Sequence, residues 1–119
     1  MKILAISLLA LGLIATVAQA QDVTAGKAVY AQCSACHTVD GANGVGPSLQ
    51  GIVGRKAGTF AGFRFSRAMK GSGLTWDEKT LSAYLAEPQK VVPGNVMPFS
   101  GIADEKQRAD LIAYLATLK

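Results

Sequence analysis

Cys33, Cys36 and His37 stand together in the run Cys-Ser-Ala-Cys-His, although the 119-residue chain holds only two cysteines and one histidine. Separations of three and four residues put all three side chains on one side of a helical turn. Two thiols and an imidazole so arranged can bond covalently to the edge of a flat group and offer a nitrogen donor to a metal at its centre. Cys-x-x-Cys-His is the attachment signature of c-type haem, with both sulfurs as thioethers and the imidazole as proximal iron ligand. Other chemistries fit less of the pattern. A thiol–disulfide redox pair needs a preceding strand and a βαβ surrounding, and neither is visible. A structural zinc site needs four ligands, and no second Cys/His pair exists. A plain Cys33–Cys36 disulfide closes too short a loop to stabilise much, and it leaves His37 without a role.

The sixth iron position decides what such a group can do. Left open, it admits gases or peroxidase-like chemistry; filled by a side chain, it leaves outer-sphere electron transfer. No second histidine is present, and after Met1 the methionines are Met69 and Met97. Met97 lies in VVPGNVMPFSGI, a loop punctuated by proline and glycine, whose restriction lowers the entropy lost in holding a thioether against iron. Met69 lies in FSRAMKGSG, a short helical turn where methionine more often serves as an adaptable packing residue. Met97 is the better candidate, with core filling the alternative for either.

The elements that must carry these groups are few. A first helix is expected from about Asp22 to His37, with Asp22 or Thr24 as N-cap, and it sets Gly26, Tyr30, Cys33 and His37 on one face. A second begins at Thr75, where Thr75-Trp76-Asp77-Glu78 reads as a capping box, and ends before Pro88. A third runs from about Asp104 to Leu118 with an apolar stripe of Leu111, Tyr114, Leu115 and Leu118. Between them, Asp40 to Gly62 and Pro88 to Gly101 show no helical or strand period. Loops of that length in a small domain imply something for them to wrap.

Residues 1–20 read as a secretory signal peptide. Met1 and Lys2 are followed by an almost wholly apolar run from Ile3 to Val17, and Ala18-Gln19-Ala20 has the small-x-small form of a cleavage site. The apolar run is near the lower limit for a membrane span and no positively charged stop follows it, so an uncleaved N-terminal anchor is the second reading. Cleavage after Ala20 leaves 99 of the 119 residues, a single domain over 21–119. So small a domain is only marginally stable without a staple, a role that covalent haem would fill. Without Lys2, 11 of the 12 Lys and Arg residues face 8 Asp and Glu, a formal +3. No basic run with interleaved aromatics suggests nucleic acid. The excess suits an acidic protein partner or two bound carboxylates, or an ordinary solvated surface.

Four motifs in order resemble class I cytochrome c, the family of short soluble bacterial cytochromes c and of mitochondrial cytochrome c. GKAVYAQCSACHT resembles its first helix and haem motif, and GVGPSLQGIVGRKAG its proline loop. GLTWDEKTLSAYLAEPQKVVPGNVMPFSGI resembles its tryptophan, helix and methionine-loop region, and RADLIAYL its last helix. The likeness covers nearly all of residues 24–118. It implies an all-α fold of three main helices, short helical turns and long loops wrapped around one covalently attached haem c. It further implies thioethers at Cys33 and Cys36, His37 and Met97 as axial iron ligands, and the Pro47 carbonyl accepting the other imidazole N–H. Arg55 and Trp76 would approach a haem propionate, and Tyr84 would sit near the methionine sulfur. Gly26 and Tyr30 would meet Leu111 and Tyr114 where the first and last helices cross.

The chain departs from the resemblance at Phe65 and Met69, which stand where mitochondrial members carry a tyrosine and an asparagine; neither side chain can donate the corresponding hydrogen bonds. Met69 is thereby placed near the haem as a rival ligand. The implied function is that of a periplasmic one-electron carrier and not an enzyme. It would work as a monomer without a membrane span once the signal is cut. It would dock transiently on larger redox proteins or membrane complexes, such as those of a respiratory chain, through their acidic patches. Lys27, Lys90 and Lys106 are the basic residues available for that docking.

Overall fold

The computed structural model describes residues 10–13 and 21–119. The export segment expected over 1–20 lies, apart from 10–13, outside the described residues. Among the described residues five α-helices carry the fold: α1 (Val23–Val29), α2 (Arg67–Lys70), α3 (Glu78–Ala86), α4 (Pro88–Val91) and α5 (Glu105–Leu115). A 3-10 turn, Tyr30–Gln32, continues α1. No strand forms among the described residues; one antiparallel bridge pairs Lys56 with Thr75.

Aspartates start the three longer helices. The side chain of Asp22 accepts the Ala25 N–H at 3.0 Å, that of Asp77 the Thr80 N–H at 2.7 Å and that of Asp104 the Gln107 N–H at 2.8 Å. Each satisfies a donor that the first helical turn leaves without a partner. Of the two N-cap candidates for the first helix, Asp22 is therefore the cap. The capping box expected at Thr75 does not form. Trp76 N–H instead donates to the Arg55 carbonyl at 2.9 Å, and the helix begins three residues later behind Asp77. The first helix is likewise shorter than expected. Its α-helical part ends at Val29, and the chain reaches His37 through the 3-10 turn and further turns. Leu118 lies beyond the end of α5 but still packs against the core.

Glu87 leaves the helical region at φ −146° because Pro88 follows it. Pro88 then opens α4, a short helix within the stretch expected to be irregular; its missing N–H is no loss at a first helical position. The residues 40–62 are indeed turns and bends, anchored at intervals. Gly51 N–H donates to the Leu118 carbonyl at 2.6 Å, Gly54 N–H to the Trp76 carbonyl at 2.8 Å, and Ala57 N–H to the Leu74 carbonyl at 2.8 Å.

Helices α1 and α5 cross at Gly26. A Cβ there would run into the Asp110 carbonyl, so glycine is what allows the two backbones to meet. Beside the crossing, the Tyr30 and Tyr114 rings pack at 5.4 Å between centroids, tilted by 51°. Asp110 adds a polar tie, its buried carboxylate accepting the Asp22 N–H at 2.9 Å and Lys106 at 2.8 Å. Leu111, which is fully buried, and Leu115 face inward from α5 towards Leu81, Tyr84 and Leu85 of α3. Burying that apolar surface holds the helical frame together. Loops close the rest of the molecule around a gap.

Candidate functional site

The gap is an apolar cavity of about 240 Å³, and it gathers residues far apart in sequence. Cys33, Cys36 and His37 reach it from the turns after α1, and Met97 from the loop after α4. Leu111 and Leu115 of α5 and Leu81 and Leu85 of α3 supply apolar wall.

The turns at the cysteines have a local cause. Cys36 and His37 both donate their backbone N–H groups to the Cys33 carbonyl, at 3.1 and 3.0 Å. That winds the motif tightly enough to put all three side chains on the cavity. Tyr30 secures the end of the motif by donating its hydroxyl to the His37 carbonyl at 2.9 Å. Both cysteines are half-buried and no disulfide joins them.

The imidazole of His37 is fixed from the proline loop. Its Nδ1 lies 2.7 Å from the Pro47 carbonyl oxygen. A carbonyl can only accept, so Nδ1 carries the proton and Nε2 is left with its lone pair. Gly46 passes so close beneath the ring that a Cβ would stand 2.8 Å from Nδ1. The loop is held in turn by Gly46 N–H donating to the Cys36 carbonyl at 2.8 Å.

Around Met97, the Tyr84 hydroxyl points at the sulfur across 4.0 Å, a long contact. Burial pushes the Tyr84 pKa up to about 12, so the phenol stays protonated at neutral pH. The Tyr84 ring packs on Trp76 at 4.9 Å between centroids. Met97 N–H donates to Oδ1 of Asn95 at 3.0 Å. Asn95 did not stand out in the sequence. Its only signal was an amide side chain two residues before a methionine in a loop of prolines and glycines.

Arg55 borders the same cavity with two of its donors committed, Nη1 to the Gln50 carbonyl at 3.0 Å and Nη2 to the Ser48 carbonyl at 3.1 Å. Its guanidinium lies over the Phe60 ring, 4.5 Å from the centroid. Half-buried without a carboxylate partner, it has its pKa lowered by desolvation. A positive charge so placed suits an anionic group at the cavity edge. Phe65 and Met69 also line the cavity, so both departures from the resemblance bear on it directly. Two thioether side chains, those of Met69 and Met97, therefore border one space.

Of the three lysines expected to serve docking, two have acidic neighbours. Lys106 is bound to Asp110, and Lys90 lies 3.5 Å from Glu87. Among the described residues Lys27 alone of the three has no acidic partner.

The donor set fits covalent haem. Two free thiols, an imidazole with Nε2 available and a thioether share one apolar space that the chain itself does not fill. A flat macrocycle held by both sulfurs would complete the missing centre of the core.

Known proteins match the same description. A family model described as Cytochrome c matches residues 23–119. The chain is 57% identical over 90 residues to cytochrome c2 iso-2 of Magnetospirillum fulvum, covering 75% of this chain and 94% of that protein. It is 51% identical over 102 residues to cytochrome c2 of Rhodoblastus acidophilus, covering 84% and 95%. Among solved structures, cytochrome cH from Methylobacterium extorquens superposes with a TM-score of 0.79 at 52% identity, over 81% of this chain and 98% of that one. The ferricytochrome c2 of Rhodopseudomonas palustris gives 0.78 at 43%, over 83% and 100%.

Proposed function

The chain belongs to the cytochrome c family, and from that premise we propose that it is a periplasmic one-electron carrier whose iron is held by His37 and Met97. As a member of the family it carries haem c covalently, and it transfers electrons rather than transforming a substrate. The convergence of Cys33, Cys36, His37 and Met97 on one apolar cavity carries that proposal.

Bound haem supplies the one-electron exchange between ferric and ferrous iron. The residues set the terms of that exchange. Cys33 and Cys36 would hold the macrocycle edge. His37 offers Nε2 with its orientation and basicity set by Pro47. Met97 would fill the remaining position with a soft thioether, which favours the reduced state and excludes small ligands. The leucines of α3 and α5 line the cavity and would shield bound haem from water on their side, which limits reorganisation when charge passes.

Export supports the periplasmic assignment. Residues 1–20 have the order of a signal peptide, and cleavage after Ala20 would release the 21–119 domain as a soluble monomer. Partners would be larger redox proteins or membrane complexes, met transiently and in a salt-dependent way. With two of the three candidate rim lysines already paired with acids, the steering charge is modest.

Intact-mass measurement on protein from a periplasmic extract tests this reading. The expected product begins at Gln21 and carries one haem. A product that keeps residues 1–20 would point to an anchored form, and a mass without haem would overturn the site.

A further inference from the structure

We infer that Asn95 is the positioning residue for Met97, its buried amide locking the loop that presents the sulfur to the cavity. The inference rests on the reading of Met97 as iron ligand.

Asn95 is only 6% exposed, one of three buried polar side chains among the described residues. Every polar group it owns is engaged, and every partner lies between Pro88 and Met97. Its Nδ2 donates to the Pro88 carbonyl at 3.0 Å and to the Val92 carbonyl at 2.9 Å, while Oδ1 accepts the Met97 N–H at 3.0 Å. Its own N–H donates to the Val92 carbonyl at 3.1 Å. Its carbonyl accepts from Nε2 of Gln89 at 2.8 Å, and Oε1 of the same Gln89 accepts the Gly94 N–H at 3.2 Å.

The two carbonyls that receive Nδ2 belong to Pro88, which opens α4, and Val92, which follows it; each also accepts a backbone N–H, Pro88 from Val92 at 3.0 Å and Val92 from Asn95 at 3.1 Å. One amide thus joins the end of α4 to the backbone of Met97. On the other side of Met97, its carbonyl accepts the Phe99 N–H at 2.9 Å and Phe99 packs against the core, but no hydrogen bond there reaches α4 among the described residues. Val96 is 76% exposed and Pro98 is exposed, so the immediate neighbours of Met97 give it no packed anchor. The Tyr84 contact at 4.0 Å is too long to hold the loop. Releasing Met97 while Asn95 stays in place therefore breaks a part-buried hydrogen bond, and moving the Asn95 side chain breaks that bond and two buried ones. Unmet buried polar groups are costly, so the open loop is scarce.

Imidazole added to the ferric holoprotein reads this out, because it can bind only in the fraction of molecules whose loop is open. Asn95→Asp keeps the shape but turns an oxygen towards the Pro88 and Val92 carbonyls. Asn95→Ser keeps an acceptor within reach of Met97 N–H and at most one donor. The inference predicts apparent imidazole affinity at least about tenfold higher for Asn95→Asp, and an intermediate value for Asn95→Ser. Haem content and helix signal should stay at the wild-type level. Should Asn95→Asp not accumulate with haem, wild-type amide exchange decides instead, with Met97 N–H expected to exchange more slowly than Val96 N–H. Affinities within about twofold of wild type in both variants, or equal exchange at Met97 and Val96, would overturn the inference. Met97→Ala measured alongside separates the two levels. If it keeps the far-red ferric band of an iron–thioether bond, the ligand assignment has failed. If it loses that band while Asn95→Asp binds imidazole as wild type does, only the role of Asn95 has failed.

Discussion

The Nδ1 atom of His37 donates to the Pro47 carbonyl across 2.7 Å, and that one bond orients an otherwise flexible imidazole. It fixes the tautomer and adds electron density to the ring, which, with Nε2 on iron as proposed, would favour the ferric state. Gly46 makes room for it: any side chain there would press on the imidazole.

Gly46→Ala should disturb that bond. The added methyl would meet Nδ1 and Cε1 of His37, so either the ring turns or the proline loop withdraws. A weaker bond to Pro47 makes the imidazole a poorer donor, and the reduction potential should rise. Overpacking of this kind also costs about 1–3 kcal/mol of stability. Potentiometry and guanidinium unfolding check both effects, and an unchanged potential with unchanged stability would contradict the assigned role of Pro47.

Arg55 offers a separation of charge from geometry. Arg55→Lys keeps the positive charge at the cavity edge but cannot span the Ser48 and Gln50 carbonyls as the guanidinium does. Arg55→Gln loses the charge as well. Both variants should lose about 1–2 kcal/mol of stability. Only Arg55→Gln should show a clear fall in potential, since a nearby positive charge favours the state with the extra electron. Equal potentials in the two variants would show that the charge of Arg55 is not felt at the iron.

Asp110 makes stability depend on pH in acid. Lys106 holds its carboxyl below the ordinary carboxylate range, and the Asp22 N–H adds to the effect. A folded-state value below the unfolded one means that the carboxylate stabilises the fold above the unfolded value, near pH 4. That stabilisation is lost as pH falls through the lower folded value. Wild type should therefore exceed Asp110→Asn in unfolding midpoint by a constant margin above about pH 5, and the margin should shrink below it. A margin that is flat down to strong acid would remove Asp110 from the account.

Much of the site was legible because its signals are local or rest on scarcity. Cys33, Cys36 and His37 are defined by spacing alone, and Met97 stood out because so few side chains could ligate iron. Helix boundaries were less legible, since rival caps sat side by side. Thr75 and Asp77 could both start α3, and what settles it is the pairing of the 75–76 backbone with 55–56, a long-range contact. Helix α4 was hidden because a proline reads equally as a stop and as a first helical residue. Asn95 was hidden for a related reason. Its value lies in carbonyls that face it only after α4 has formed. The acidic neighbours of Lys90 and Lys106 were not read from the sequence, although they lie at i−3 and i+4 on the folded helix surfaces.

Met69 and Met97 both border the cavity, and Met97 is the proposed iron ligand. The ferric absorption spectra of Met97→Ala and Met69→Ala, recorded side by side at neutral pH, decide between the two sulfurs. Met97→Ala should lose the far-red iron–thioether band while Met69→Ala keeps it. Loss of the band in Met69→Ala with its survival in Met97→Ala would reverse the assignment.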